Sequence, residues 1–258
     1  MSALTNPATL LDPVSAAVAA IAAGEAVLVV DDENRENEGD IIFAAQHSTP
    51  ALMGWTIRHS SGVICVPMED ARADVLALPP MVAHNQDAKG TAYTVSCDAA
   101  GGVSTGISAT DRSLTATVLA SPSSGPEAVT RPGHMFPLRA VPGGVRQRPG
   151  HTEASVELCK LAGCEPVAVI AEVVDDAGQM VRLEGLREFA DAHALVLISI
   201  ADLVAHLDAS GPAGGSAPDG TAAAPVSAAA GAPAGAPAGA PAGAPAMAPA
   251  AAAGVRHE

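Results

Sequence analysis

The segment Asp31-Asp32-Glu33-Asn34-Arg35-Glu36-Asn37-Glu38-Gly39-Asp40 lies between two apolar runs, residues 27–30 and 41–45. Short aliphatic runs on either side of a polar turn predict two buried strands joined by a loop. That loop carries six carboxylates and one arginine in ten residues. A solvated acidic hairpin would disperse such charge into water. Strands that pin the loop to a core leave less water for this, so a bound divalent cation is the candidate to compensate the repulsion, with the solvated hairpin as the alternative.

Residues 128–152 hold no Asp or Glu, yet carry Arg131, Arg139, Arg146, Arg148, His134 and His151, in a chain of formal net charge −15. Pro132-Gly133, Pro142-Gly143-Gly144 and Pro149-Gly150 punctuate the stretch, which predicts mostly loop. A Gly/Pro-shaped loop rich in arginine suits a small phosphate or carboxylate. The alternative is that these arginines pair with surplus surface acids.

From residue 209 onward the chain is almost only Ala, Gly, Pro and Ser. Alanine methyls bury too little area to offset backbone ordering, and spaced prolines interrupt helix and sheet. Residues 209–258 are expected to form a disordered, partly polyproline-like tail, and residues 1–208 one folded domain. After residue 208 the only formal charges are Asp219, Arg256 and Glu258, which leaves the domain 12 basic against 26 acidic residues. Such acidity disfavours nucleic acid and anionic membranes as partners. No run of 18 apolar residues and no secretory signal pattern occurs, so a cytoplasmic location is expected. Cys65, Cys97, Cys159 and Cys164 form no C-x-x-C pair and read as packed thiols, with Cys65 also a candidate to line a pocket.

Helices are expected from Asp12-Pro13 to Gly24, over 50–58, near 71–76, from about Asp111 through 119, and over 152–161, 184–193 and 200–206. Strands are expected over 62–66, 93–97, 167–173, 180–183 and 195–198. Irregular interleaving with a tight turn at 175–178 predicts an α/β protein of the α+β type, a mixed sheet flanked by helices.

Where the cationic segment becomes a helix, at His151-Thr152, free N–H groups would hold an anion together with Arg148, Gly150 and the Thr152 hydroxyl. His151 there is either a metal ligand or a hydrogen-bond donor. Glu172 lies inside an apolar strand and should be partly desolvated, which suits either proton transfer or a structural salt bridge. An EF-hand starting at Asn34 fails because its twelfth position is Ala45. No phosphate-binding G-x-x-x-x-G-K-[ST] loop and no G-x-S-x-G elbow is present.

The acidic run 31–40 resembles the corresponding loop of the 3,4-dihydroxy-2-butanone 4-phosphate synthases of riboflavin biosynthesis. So do Gly90-Thr91-Ala92-Tyr93-Thr94-Val95, Ser104-Thr105-Gly106-Ile107-Ser108-Ala109-Thr110-Asp111-Arg112, Arg131-Pro132-Gly133-His134 and Arg148-Pro149-Gly150-His151-Thr152-Glu153-Ala154. The similarity spans roughly residues 8–207. Asn34 replaces the usual acid and Cys97 stands where isoleucine is common. The resemblance implies cleavage of D-ribulose 5-phosphate to formate and L-3,4-dihydroxy-2-butanone 4-phosphate with Mg²⁺ (or Mn²⁺), two ions per site. It implies Glu36 and His151 as metal ligands within the substrate site, and Arg35 and Asp40 as substrate contacts, Asp40 with a catalytic role. Arg148, Pro149, Gly150, His151 and Thr152 would hold the phosphate, Glu172 would contact the sugar and move protons, and His134 would be an essential polar group. It further implies a homodimer with sites at the interface. The tail stands where many relatives carry a GTP cyclohydrolase II domain, so a monofunctional synthase is expected. The rival is a binding module that keeps the loops without turnover.

Overall fold

The computed structural model describes residues 10–210. Seven strands form one mixed sheet: β1 (Val27–Val30), β2 (Gly39–Ala44), β3 (Cys65–Glu69), β4 (Cys97–Ala99), β5 (Val129–Ala140), β6 (Ala168–Glu172) and β7 (Val196–Ser199), in the order β4-β5-β3-β6-β2-β1-β7. β1–β7 and β3–β5 are parallel, and the remaining neighbours are antiparallel. The helices are α1 (Val14–Ala22), α2 (Pro50–His59), α3 (Asp70–Val75), α4 (Ala109–Ala120), α5 (His151–Leu161), α6 (Leu183–His193) and α7 (Ile200–Ala209).

Both faces of the sheet are covered, so its central strands are apolar except at Asp40 of β2 and at the ends of β3 and β6, where Glu69 and Glu172 stand. On one face Ile42, Ala44, Val27, Val29 and Ile170 pack under α1, α5 and α7. On the other, Ile41, Phe43, Leu28 and Val169 pack against α2, α3, α4 and α6. Alternation along β2 therefore places Asp40 on the same face as Ile42, beneath α5. Gly39 is the close-packing point: a Cβ there would stand 2.3 Å from Leu186 Cδ1 of α6.

The mixed sheet flanked by helices was legible, but four local expectations need correction. The segment expected to be mostly loop contains β5, twelve residues long despite Pro132 and Pro137. Proline survives there because its missing N–H falls outside the β3 ladder. Phe136 donates to Ile64 O, whereas the Pro137 carbonyl faces away and accepts from Thr94 N–H at 3.0 Å. The same gap explains why 93–97 forms isolated bridges at Tyr93 and Thr94 and a regular strand only from Cys97. Residues 180–183 form no strand, and Met180 makes a single bridge to Val174 before α6 begins. Asp12 does not cap α1. Its carboxylate accepts from Leu197 N at 2.8 Å and Arg187 Nη1 at 3.0 Å. α7 runs to Ala209, and beyond Ala209 and Ser210 the expected tail lies outside the described residues.

Candidate active site

The acidic loop is folded around Asp31. Its Oδ2 accepts from Arg35 Nη1 at 2.9 Å and Glu36 N at 3.0 Å, and its Oδ1 accepts from Glu38 N at 2.9 Å. Asp32 accepts from Asn34 N at 2.8 Å and from its side-chain amide, which holds that carboxyl below its ordinary range. Five of the six acids thus divide into two groups. Asp31 and Asp32 stabilise the turn through hydrogen bonds, while Glu36, Glu38 and Asp40 face a cavity they share with Arg35, Arg148, His151, Thr152 and Glu172.

His151 opens α5 and is buried against β1, with Nε2 3.0 Å from the Val29 carbonyl. A carbonyl only accepts, so Nε2 carries the proton and Nδ1 presents a free lone pair. Nδ1 lies 3.9 Å from Glu36 Oε2 and 3.7 Å from Asp40 Oδ1. These spans are too long for hydrogen bonds. The three donors instead face one another across a gap that a Mg²⁺-sized cation would fill after a small inward shift of the side chains. Asp40 is 3 % exposed, and its Oδ1 has no hydrogen-bond partner. Burial raises its pKa well above the ordinary value, and Glu172, Glu36, Glu38 and Asp31 push it further. Burial lowers that of His151 and keeps the ring neutral. An orphaned carboxylate oxygen opposite a neutral imidazole nitrogen fits a cation. Asp31, Glu36 and His151 also offer donor atoms within 4.8 Å of one another; both Asp31 oxygens accept within the turn, and Glu36 Oε2 pairs with Arg35 Nη1, which a cation would have to share or displace.

Glu172 is the cross-strand partner of Asp40 and accepts from Ser61 Oγ at 2.6 Å. The strongly desolvated carboxyl of this pair is Asp40, because β2 begins at Gly39 and carries Asp40 into the core. The sequence signal read an apolar strand around Glu172 and started the neighbouring strand only at residue 41. Glu38 is raised by burial and by Glu172. Cys65 lines the same wall, and burial pushes its thiol up. The Tyr93 phenol beside it is pushed up to about 12, chiefly by burial.

The anion end lies at the N-terminus of α5, which Gly150 caps without a side-chain acceptor. A Cβ on Gly150 would stand 2.6 Å from Arg148 Nη1 and 2.9 Å from Arg35 Nη2. Two guanidiniums therefore converge on open N–H groups, with Thr152 buried in the first turn. Pro149 lines the outer side of the acidic loop rather than this cavity. The remaining arginines of the cationic stretch turn away. Arg131 donates to the carbonyls of Leu76, Val129 and Pro126, Arg139 pairs with Asp74 at 2.8 Å, and Arg146 pairs with Asp208 at 2.7 Å.

His134 is the one expected catalytic residue that this chain does not bring to the cavity. It sits on β5, separated from β6 by β3, so its backbone stands about 10 Å from that of Glu172. Asp98 holds it twice, accepting from His134 N at 2.8 Å and lying 2.7 Å from Nδ1. Gly106 packs on this pair, leaving 2.0 Å between a built Cβ and Asp98 Oδ2. Asp111 fixes that loop by accepting from Ser104 Oγ at 2.7 Å and Gly106 N at 3.1 Å. Asp98 carried no local signal in the sequence, whereas Glu38 stands in the acidic run and Glu153 inside a resembling motif. Thr91 and Tyr93, which line the cavity, stand inside one of the resembling motifs.

The model of the 3,4-dihydroxy-2-butanone 4-phosphate synthase family matches residues 15–206. The chain belongs to that family. The riboflavin biosynthesis proteins RibBA of Rhodococcus jostii (strain RHA1) and Nocardia farcinica (strain IFM 10152) are each 57% identical over 199 residues. The match takes in 76% of this chain and 48% of each relative, so the chain spans about half the length of these curated proteins. A crystal structure of 3,4-dihydroxy-2-butanone 4-phosphate synthase in complex with two magnesium ions is 48% identical, with TM-score 0.75, covering 77% of this chain and 98% of that one. The Candida albicans synthase structure is likewise 48% identical, with TM-score 0.72, covering 76% of this chain and 98% of that one. Among the described residues of this family member, no helix is long and apolar enough to cross a membrane.

Proposed function

We propose that this chain is a lyase that converts D-ribulose 5-phosphate to L-3,4-dihydroxy-2-butanone 4-phosphate and formate for riboflavin biosynthesis. The carrying observation is the position of His151 Nδ1 opposite Glu36 Oε2 and the orphaned Asp40 Oδ1. Glu36 and His151 would hold Mg²⁺ (or Mn²⁺), with two ions in each site. When bound, the cation stabilises negative charge that develops on adjacent sugar oxygens. Arg35, Arg148 and the first turn of α5 bind the phosphate and fix the sugar's register against the acids. Asp40 and Glu172 face each other across the strand pair, so two carboxyls stand where they can exchange protons with adjacent positions of the ketose. The neutral His151 donates its Nε2 proton to Val29 O and keeps Nδ1 for the metal.

His134 enters from a second copy of the chain in this reading, which makes the enzyme a homodimer with interface sites. Its position outside the cavity supports this, as do the exposed apolar side chains of Val63, whose N–H bonds Ser61 beside Glu172, and Ile107, next to the Gly106 that packs on His134. Asp98 would fix the His134 ring so that its outer nitrogen meets the partner's substrate. Residues 1–208 form the catalytic domain in this proposal, acting in the cytoplasm on a small-molecule substrate without nucleic acid or membrane. Deleting residues 211–258 should leave melting temperature and rate unchanged.

Incubation with ribulose 5-phosphate and Mg²⁺ should release formate, and EDTA should stop it. Sugar phosphate binding by calorimetry without formate would instead identify a module that binds and does not turn over.

A further inference from the structure

We propose that Glu153 is a positioning residue for phosphate binding, presetting the Arg148 guanidinium without touching the substrate. The inference rests on reading Arg148 as a phosphate contact. Glu153 lies in the first turn of α5, 1 % exposed. Its Oε2 accepts from Arg148 Nη1 at 2.6 Å, and its Oε1 accepts from Val141 N at 3.1 Å, one residue past β5. On the opposite edge of the guanidinium, the Lys89 carbonyl accepts from Arg148 Nη2 at 3.2 Å and Nε at 3.4 Å, and the Thr91 hydroxyl accepts at 3.3 Å. That turn is braced by Asp87, whose carboxylate takes the N–H of Lys89 at 3.1 Å and of Thr91 at 2.8 Å. Arg148 is thereby gripped at both edges while its Nη1 corner faces the Gly150 notch.

A carboxylate beside an anion site works against affinity by charge alone. Here a built Gly150 Cβ would stand 3.2 Å from Glu153 Oε2 and within 3 Å of both guanidiniums, so carboxylate and arginines meet at one glycine-sized notch. The carboxylate is accounted for by orientation. It offsets the repulsion between Arg35 and Arg148 and removes rotamer freedom from Arg148 before the anion arrives. A carboxylate that merely tied the end of β5 to α5 would need only the bond to Val141.

Glu153→Gln keeps the side chain's shape but offers one acceptor oxygen to two donors, so Arg148 loses its fixed pose. Wild type and variant are titrated by calorimetry with inorganic phosphate and separately with Mg²⁺, and kcat and KM are read from formate release. The phosphate Kd and the KM should both rise about tenfold or more, with kcat and Mg²⁺ affinity changed less than about threefold. An unchanged phosphate Kd, or parallel losses in Mg²⁺ affinity and kcat, would overturn the proposal. Should that variant fail to fold, Glu153→Asp keeps the charge but shortens its reach to Arg148. A phosphate Kd raised about threefold or more with Mg²⁺ affinity unchanged supports the proposal, and an unchanged phosphate Kd rejects it. Wild type that binds phosphate without forming formate, with binding lost in the variant, would remove the proposed reaction and support this inference.

Discussion

Residues 31–40 and residues 128–152 hold this chain's densest runs of negative and positive charge, and they fold by opposite rules. The acids converge: Asp31 organises the turn, and Glu36, Glu38 and Asp40 are brought to one cavity. The arginines disperse, with Arg131, Arg139 and Arg146 bound to carbonyls or surface acids and Arg148 alone reaching the site. The reason is geometric. The acidic run is a short connection between adjacent antiparallel strands, so its ends are pinned together. The basic run contains a twelve-residue strand that carries its side chains to opposite faces and far ends. Charge density along a sequence thus identifies a site only where the backbone turns back on itself.

This contrast can be broken most sharply at its acidic pole. Glu36→Gln removes a charged donor from the cation pocket but leaves the Asp31-centred turn intact. Formate production should fall about a thousandfold or more and Mg²⁺ binding should weaken in calorimetry, while the melting temperature holds. Retention of full turnover would remove Glu36 from the ligand set.

A paired comparison among the arginines comes next. Arg148→Lys, which keeps a cation beside the buried Glu153 but loses the guanidinium fork, should raise KM about ten- to a hundredfold with little loss of stability. Arg131→Ala should do the reverse, lowering stability by about 1–3 kcal/mol in denaturant titration because three carbonyls lose a donor, with KM unchanged. Equal KM effects at both positions would restore the picture of one collective cationic patch. The smallest effect belongs to Arg146→Ala, whose pair with Asp208 is half exposed on both sides. A stability change of no more than about 1 kcal/mol and an unaltered rate are expected there.

What the sequence disclosed follows the same division. The two strands flanking the acidic loop and the start of α5 were legible because apolar period, turn residues and capping all act within a few positions. Glu36 and His151 were legible as a pair through the family resemblance, and the fold brings them to opposite sides of one small gap. β5 was hidden because Pro-Gly steps signal a loop locally, and only the pairing of Pro137 with Thr94 shows how a strand tolerates them. The burial of Asp40 was also hidden, since it depends on which strand occupies the sheet interior. Partners of single arginines, such as Arg131 on Leu76, are set by tertiary packing that no local pattern encodes.

The contact between Gly39 and Leu186 carries one more consequence. Asp40, which the proposed cation would face, enters the interior one residue after a position that helix α6 keeps bare from the sheet's far side. The floor of the proposed site is therefore held from behind, by a side chain with no chemistry of its own. Enlarging either member of that contact would tilt the floor, and magnesium titration would register the disturbance before any surface probe did.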